Sequence, residues 1–219
     1  LRRDRNMIGT VSGDRIRHEL MLMLMEEYPE RAWKRAGELG VLAELHPSLK
    51  GNSGLGAQFE QARQLGRSSS LYSLYLCLLV YHLSADESKQ LMSRLNFPRK
   101  LTEATQQTLQ LKAQLDCLTR SGIKPSDVYQ LLHGYVTQAV QASMLASQSE
   151  AIKQHLYLYL TKLRYIKPLL SGDDIKELGV PSGPQCGDVL DMLLEARLNG
   201  KVITRQDEEN LVRNWLRNL

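Results

Sequence analysis

The residues best placed to meet a ligand lie in one stretch, "LLSGDDIKELGVPSGPQCGDVL", Leu169 to Leu190. Gly172, Gly179, Gly183 and Gly187 are interleaved there with Pro181 and Pro184. Asp173 and Asp174 suit the first turn of a short helix, where negative charge meets the helix dipole. Gly179 suits its end, where a left-handed residue is common. "GPQCGDVL" then opens a second helix with Pro184 in the first turn, where a missing N–H does no harm. Free backbone N–H groups at such a helix mouth bind phosphate. Small Ser182, Gly183 and Gly187 would let a nucleic-acid backbone come close. Basic side chains flank the stretch: Arg164, Lys167 and Lys176 before or within it, Arg197, Lys201 and Arg205 after it. A tight helix–loop–helix whose glycines serve helix packing accounts for the same residues, and both readings stand at this point.

Catalytic chemistry is hard to place elsewhere. There is no Asp-x-Asp pair for two-metal chemistry, and no P-loop, HExxH or GxSxG. His18, His46, His82, His133 and His155 are isolated in sequence, so each is read as a surface or capped-core residue. Cys77, Cys117 and Cys186 are far apart and form no CxxC, so neither a disulfide framework nor a zinc site is expected. No catalytic residue, metal ligand or cofactor is assigned. "LYLYL", Leu156 to Leu160, could stack nucleobases, but its leucines favour a buried helix face. "RRDR", residues 2 to 5, reads as a solvated charge run.

These residues need a scaffold, and the pattern for one is helical throughout. The 219 residues carry a formal charge of +4 and are 42% hydrophobic, a globular composition that permits a nucleic-acid partner without demanding one. Ser12, Ser84 with Glu87, and Thr204 with Asp207 have the residue types of helix N-caps. Pro29 and Pro98 suit helix starts, and a further helix restarts near Ser126. "LYSLYLCLLVYHL", Leu71 to Leu83, is too short for a bilayer, which needs about 20 residues, and is expected to be a central buried helix. The expectation is an all-α fold of ten to twelve helices with Leu74, Leu78, Leu158 and Leu190 buried. "LTRSGIKPSD", residues 118 to 127, divides it into a body, 1–120, and a tail, 121–219. No signal peptide or membrane span is visible, so the cytoplasm is the expected compartment. Leu1 in place of Met fits a piece of a longer protein.

Two stretches resemble one family. "VSGDRIRHELMLML" followed by "LGVLAELHPSL" is similar to the segment after the neck in class II tRNA nucleotidyltransferases (CCA-adding enzymes) and bacterial poly(A) polymerases. "YIKPLLSGDDIKELGVPSGPQCGDVLDMLLEARLNGKVITRQDEENLV" resembles the C-terminal tail of the same family. The resemblance implies a helical body and tail that hold tRNA or another RNA. A separate head, with a neck beside it, would hold Mg²⁺ on two carboxylates and add nucleotides to the 3′ end. Neither the head's nor the neck's motifs fit residues 1 to 219. On this resemblance the RNA contacts fall on Arg164, Lys167, Lys176, Ser182, Gly183, Gln185, Gly187, Arg197 and Lys201. Arg15 and Glu19, four apart on one helix face, match the post-neck motif and would brace the neck. The competing reading is an all-α protein-interaction module without RNA binding, which salt dependence would distinguish.

Overall fold

A computed structural model describes residues 10–49, 53–65, 71–120 and 122–218; the basic run at residues 2 to 5 lies outside them. The all-α expectation holds, with thirteen α-helices and no strand among the described residues. The chain divides into two compact units, Leu1–Thr119 with Gly134–Leu156, and Arg120–His133 with Tyr157–Leu219.

The first unit begins with α1 (Gly13–Met25), α2 (Pro29–Glu38), α3 (Val41–Leu45) and α4 (Ser53–Gln64). It continues through α5 (Leu71–Tyr81), α6 (Ala85–Arg94) and α7 (Arg99–Lys112), followed by a short 3-10 helix, Leu115–Thr119. α5 is its centre. Its apolar run covers the whole helix circumference, and every residue from Ser73 to Val80 is buried, as a helix without a polar face requires. Tyr75 of α5 meets Phe59 at 4.6 Å with tilted rings, and Phe59 in turn meets Trp33 edge-on at 6.2 Å.

The chain then leaves for α8 (Pro125–Leu132) in the second unit and returns with α9 (Thr137–Ala146). α9 packs on α5 and α7, and its first turn is tied to α7 by the Val136 amide donating to Gln107 Oε1 at 2.7 Å. α10 (Glu150–Thr161) carries the division between Leu156 and Tyr157. The second unit adds a 3-10 turn, Leu163–Tyr165, then α11 (Gly172–Glu177), α12 (Pro184–Leu198) and α13 (Arg205–Arg217). Leu170, Ile175, Val180, Val189, Leu193 and Val212 form its small core. Asn199, just past α12, bonds the Ser126 amide at 3.1 Å and the Ser126 hydroxyl at 3.0 Å, tying α12 to α8.

Leu74 and Leu78 are buried, whereas Leu158 and Leu190 are half-buried. Ile152, Leu156 and Tyr159 set the inner face of α10, and Val189, Leu193 and Ala196 that of α12, so each of those two leucines sits one position off its seam. Tyr157 of "LYLYL" is exposed. Ser84 and Thr204 form the expected capping boxes. Ser12 is an N-cap whose side chain makes no capping bond, and α8 starts one residue before Ser126.

Candidate nucleic-acid interface

The tail site is built around three helix ends. At the start of α11, the Ser171 hydroxyl accepts from the Asp174 amide at 3.2 Å, and Asp174 Oδ2 accepts from the Ser171 amide at 2.7 Å. The helix closes on Gly179, whose φ of 105° favours glycine. The Gly179 amide donates to Lys176 O, and the Val180 amide to Ile175 O, the paired bonds of a Schellman ending. α12 ends the same way, with Gly200 donating to Arg197 O and Lys201 to Ala196 O. That ending sets Lys201 on the surface just past the helix.

The start of α12 is different. Gly183 adopts φ 127°, ψ −154°, a conformation open essentially to glycine alone. No side chain caps this helix and its first turn holds no acidic residue, unlike α6, α11 and α13. Ser182, Gly183, Pro184 and Gly187 are exposed, and Gln185 is half-buried. A Cβ built at Gly183 or Gly187 would meet nothing within 4 Å. Neither glycine makes room for another part of this chain. Gly183 has a backbone reason; Gly187 has neither a backbone nor a packing reason.

The flanking cations separate into two groups. Lys167 and Lys201 are exposed, and among the described residues no hydrogen bond or ion pair engages either ammonium group. Arg164 lies 5.2 Å from the Tyr165 ring centroid. The others are committed. Lys176 pairs with Asp173 at 2.9 Å. Arg205 pairs with Asp174 and, at 3.6 Å, with Glu209. The Ser171 hydroxyl and amide, together with Arg205, hold the Asp174 carboxyl down at about 2. Arg197 turns inward. Its Nη1 donates to Glu208 Oε1 at 3.0 Å and to the Ile203 carbonyl at 3.1 Å. Glu208 is fully buried and also accepts from the amides of Leu169 and Leu170 at 2.9 Å. This pair fixes the segment that carries Lys167. Nothing in "RQDEENL" distinguishes the buried Glu208 from Asp207 and Glu209, the half-buried acidic residues on either side.

In the first unit, Arg15 and Glu19 are both exposed on α1, and no hydrogen bond or ion pair joins their side chains among the described residues. They border a cleft of about 560 Å³ whose wall is apolar, including Ile16, Leu20, Met23, Leu42 and Leu45. Among the described residues no cluster of His, Cys, Asp or Glu could hold a metal ion, and no helix is long and apolar enough to cross a membrane.

The second unit thus presents an uncapped start of α12 and, toward the opposite end of that helix, two exposed lysines, Lys167 and Lys201. Residues 1–52 match the family described as "Probable RNA and SrmB-binding site of polymerase A". The chain is 29% identical to the A-adding tRNA nucleotidyltransferase of Geobacter sulfurreducens, over 92% of this chain and 24% of that protein. Its fold matches the Thermotoga maritima CCA-adding enzyme in complex with tRNA, with a TM-score of 0.74 at 19% identity, over 97% of this chain and 54% of that one. It likewise matches apo form II of a CCA-adding enzyme, with a TM-score of 0.72 at 19% identity, over 99% of this chain and 52% of that one. In sequence and fold the chain is similar to the body and tail region of class II tRNA nucleotidyltransferases and poly(A) polymerases. It spans about a quarter of the curated relative's length.

Proposed function

We propose that this chain holds RNA, in the first instance tRNA, while a head and neck of the same polypeptide add nucleotides to the RNA 3′ end. Mg²⁺ belongs to that head, bound by its carboxylates; residues 1 to 219 supply the grip. The observation that carries this reading is the open space over Gly183 and Gly187 at the uncapped start of α12. An exposed glycine inside a helix costs roughly 0.5–1 kcal/mol relative to alanine, and at Gly187 nothing within the chain requires it. A phosphate backbone seated on the helix mouth does. Amides of the first turn would face one part of the phosphate backbone, and Lys167 and Lys201, toward the opposite end of α12, would meet phosphates further along the RNA. Shape, more than base sequence, would decide what is held.

Filter binding of the chain to tRNA over a salt series tests this. Gly187→Val should weaken binding while the fold, followed by circular dichroism, is unchanged. Lys167→Ala with Lys201→Ala should lower the slope of log affinity against log salt by about 0.7–0.9 per lost phosphate contact. Parent-like binding by every variant would leave α12 as a packing device and favour a protein-interaction module.

A further inference from the structure

The turn from α6 into α7 shapes a concave site in the first unit. Asn96 takes φ 49° just past α6, and the Phe97 amide donates to Met92 O at 3.1 Å, so the chain folds back in a Schellman ending. The two helices and this turn enclose a groove of about 840 Å³, within the ~300–1,000 Å³ of small-molecule sites. Ser88, Met92, Phe97 and Leu109 lie along its floor, where Met92 is 3% exposed and Phe97 8%. Its rim on α7 is Thr102, Gln106 and Gln110, which follow at i, i+4 and i+8 and so share one side of the helix.

One hydroxyl in the floor lacks a partner. Ser88 is 3% exposed, and no hydrogen bond engages its side chain among the described residues. The buried hydroxyls of α7 are satisfied within their own helix: Thr105 donates to Thr102 O and Thr108 to Ala104 O, both at 2.8 Å. Buried polar groups are nearly always paired, so an open one at the bottom of a groove calls for a group from outside the chain. The carboxamides of Gln106 and Gln110 are exposed and likewise unengaged among the described residues. The ionisable residues of the wall are Asp86 and Lys89, whose charges cancel. Most charges beyond the wall are spent. Arg17 pairs with Asp14 at 2.6 Å, Arg94 donates to Leu45 O at 2.7 Å, Arg99 pairs with Glu103 at 2.7 Å and Lys112 donates to Tyr81 O at 2.6 Å. Glu87 closes its capping box, and Lys100 is exposed outside the wall.

We propose that this groove binds a nucleobase, adenine above all, carried by a free nucleoside or by an unstacked residue of RNA. The flat ring would lie on Met92 and Phe97, whose sulfur and ring favour aromatic contact. A glutamine carboxamide sets a donor beside an acceptor, the complement of adenine's N6 amino group and N7. Ser88 would meet the ring edge that enters deepest. A base is uncharged, which suits a wall whose charges cancel, and any phosphate would stay at the open side. A protein helix fits less well, because its apolar stripe would lie on Thr102, Gln106 and Gln110. Free adenosine has no phosphate backbone for α12 to hold, so this site and the tail's grip fail separately.

The probe is adenosine, and its binding is read by ligand-observed NMR titration. Adenosine should bind the parent chain, and about tenfold more weakly the chain carrying Gln106→Leu with Gln110→Leu. Both glutamines are exposed, so that variant should keep the parent's circular dichroism. Ser88→Ala, which removes only the hydroxyl, should also weaken adenosine. Purine riboside keeps the ring but lacks the N6 amino group. It should bind the parent about tenfold more weakly than adenosine, and should lose little on the glutamine double substitution, a difference that general loss of structure cannot produce. Displacement of adenosine by oligoadenylate would assign the base to RNA, and its absence would assign a free nucleoside; either supports the site. No adenosine binding to the parent, or equal binding to all chains, overturns the proposal. So does an amphipathic helical peptide of leucine and lysine that binds the glutamine-substituted chain more tightly than the parent while adenosine binds neither, which would assign the groove to a protein helix.

Discussion

Arg197 and Glu208 show how a residue's role depends on what lies beneath it. By type and position Arg197 belongs with Lys167 and Lys201, yet its side chain is 19% exposed and its partner's 0%. Removing one partner of a buried pair leaves the other charge uncompensated, at a cost of roughly 3–5 kcal/mol. Glu208→Gln should therefore destabilise the second unit by about that much, read from urea unfolding. A change below about 1 kcal/mol would mean the pair is not buried as described. Two glycines should respond with opposite signs. A Cβ at Gly13 would overlap the Arg94 backbone carbonyl, so Gly13→Ala must push α1 away from the end of α6 and destabilise. Gly187→Ala meets open space in a helix interior and should stabilise by ~0.5–1 kcal/mol, as thermal melts would show. That Gly183 and Pro184 open a helix was legible in the sequence, but the backbone conformation that requires glycine at 183 was not. The freedom at 187 was not, because a one-dimensional string does not record empty space.

At the scale of elements, the helix starts form a chemical set. Ser84, Ser171 and Thr204 each open a capping box closed by Glu87, Asp174 and Asp207. Ser48 and the Ser84 amide and hydroxyl hold the Glu87 carboxyl down at about 2. Asp174 is held equally low, and Asp207 is lowered by the amides of Thr204 and Ile203. A folded pKa below the unfolded one adds stability above the ordinary carboxylate range near ~4. That stability is lost as pH falls toward about 2. Urea midpoints should therefore drop over this window, and Glu87→Gln with Asp174→Asn should flatten the drop. An unchanged profile would show that the boxes do not stay closed in solution. These caps were legible because a Ser or Thr followed three residues later by an acid is a local signal. The helix ends held by arginines were not. Arg17 donates to Leu95 O at 3.0 Å and to Asn96 O, and Arg94 to Leu45 O at 2.7 Å, all contacts between distant parts of the sequence. The phases of α10 and α12 were misread for a related reason. Runs such as "LYLYL" place apolar residues on every side, and only the neighbours decide which side turns in.

For the whole molecule, each unit has its own core and its own tryptophan. Trp33 is buried in the first, and Trp215 packs against the second. Leu78→Ala should cost ~2–5 kcal/mol and lower the unfolding midpoint reported by Trp33 in a Trp215→Phe background. Val212→Ala should lower the midpoint reported by Trp215 in a Trp33→Phe background. A midpoint unmoved by its own core substitution would contradict the assigned cores. The helical class was legible throughout the chain. The interleaving of the units was not, since α9 returns to α5 across an intervening helix that belongs elsewhere. That return bears on how the protein is made. A ribosome delivers the chain in order, and α5 emerges with its whole circumference apolar well before α9 exists to cover it. At about 5–20 residues per second, residues 1–119 wait roughly 2–7 s for the segment ending at Leu156. During that wait the nascent chain offers its greasiest helix to chaperones, and a message broken at the codon for Arg120 would yield a product that no amount of time could close.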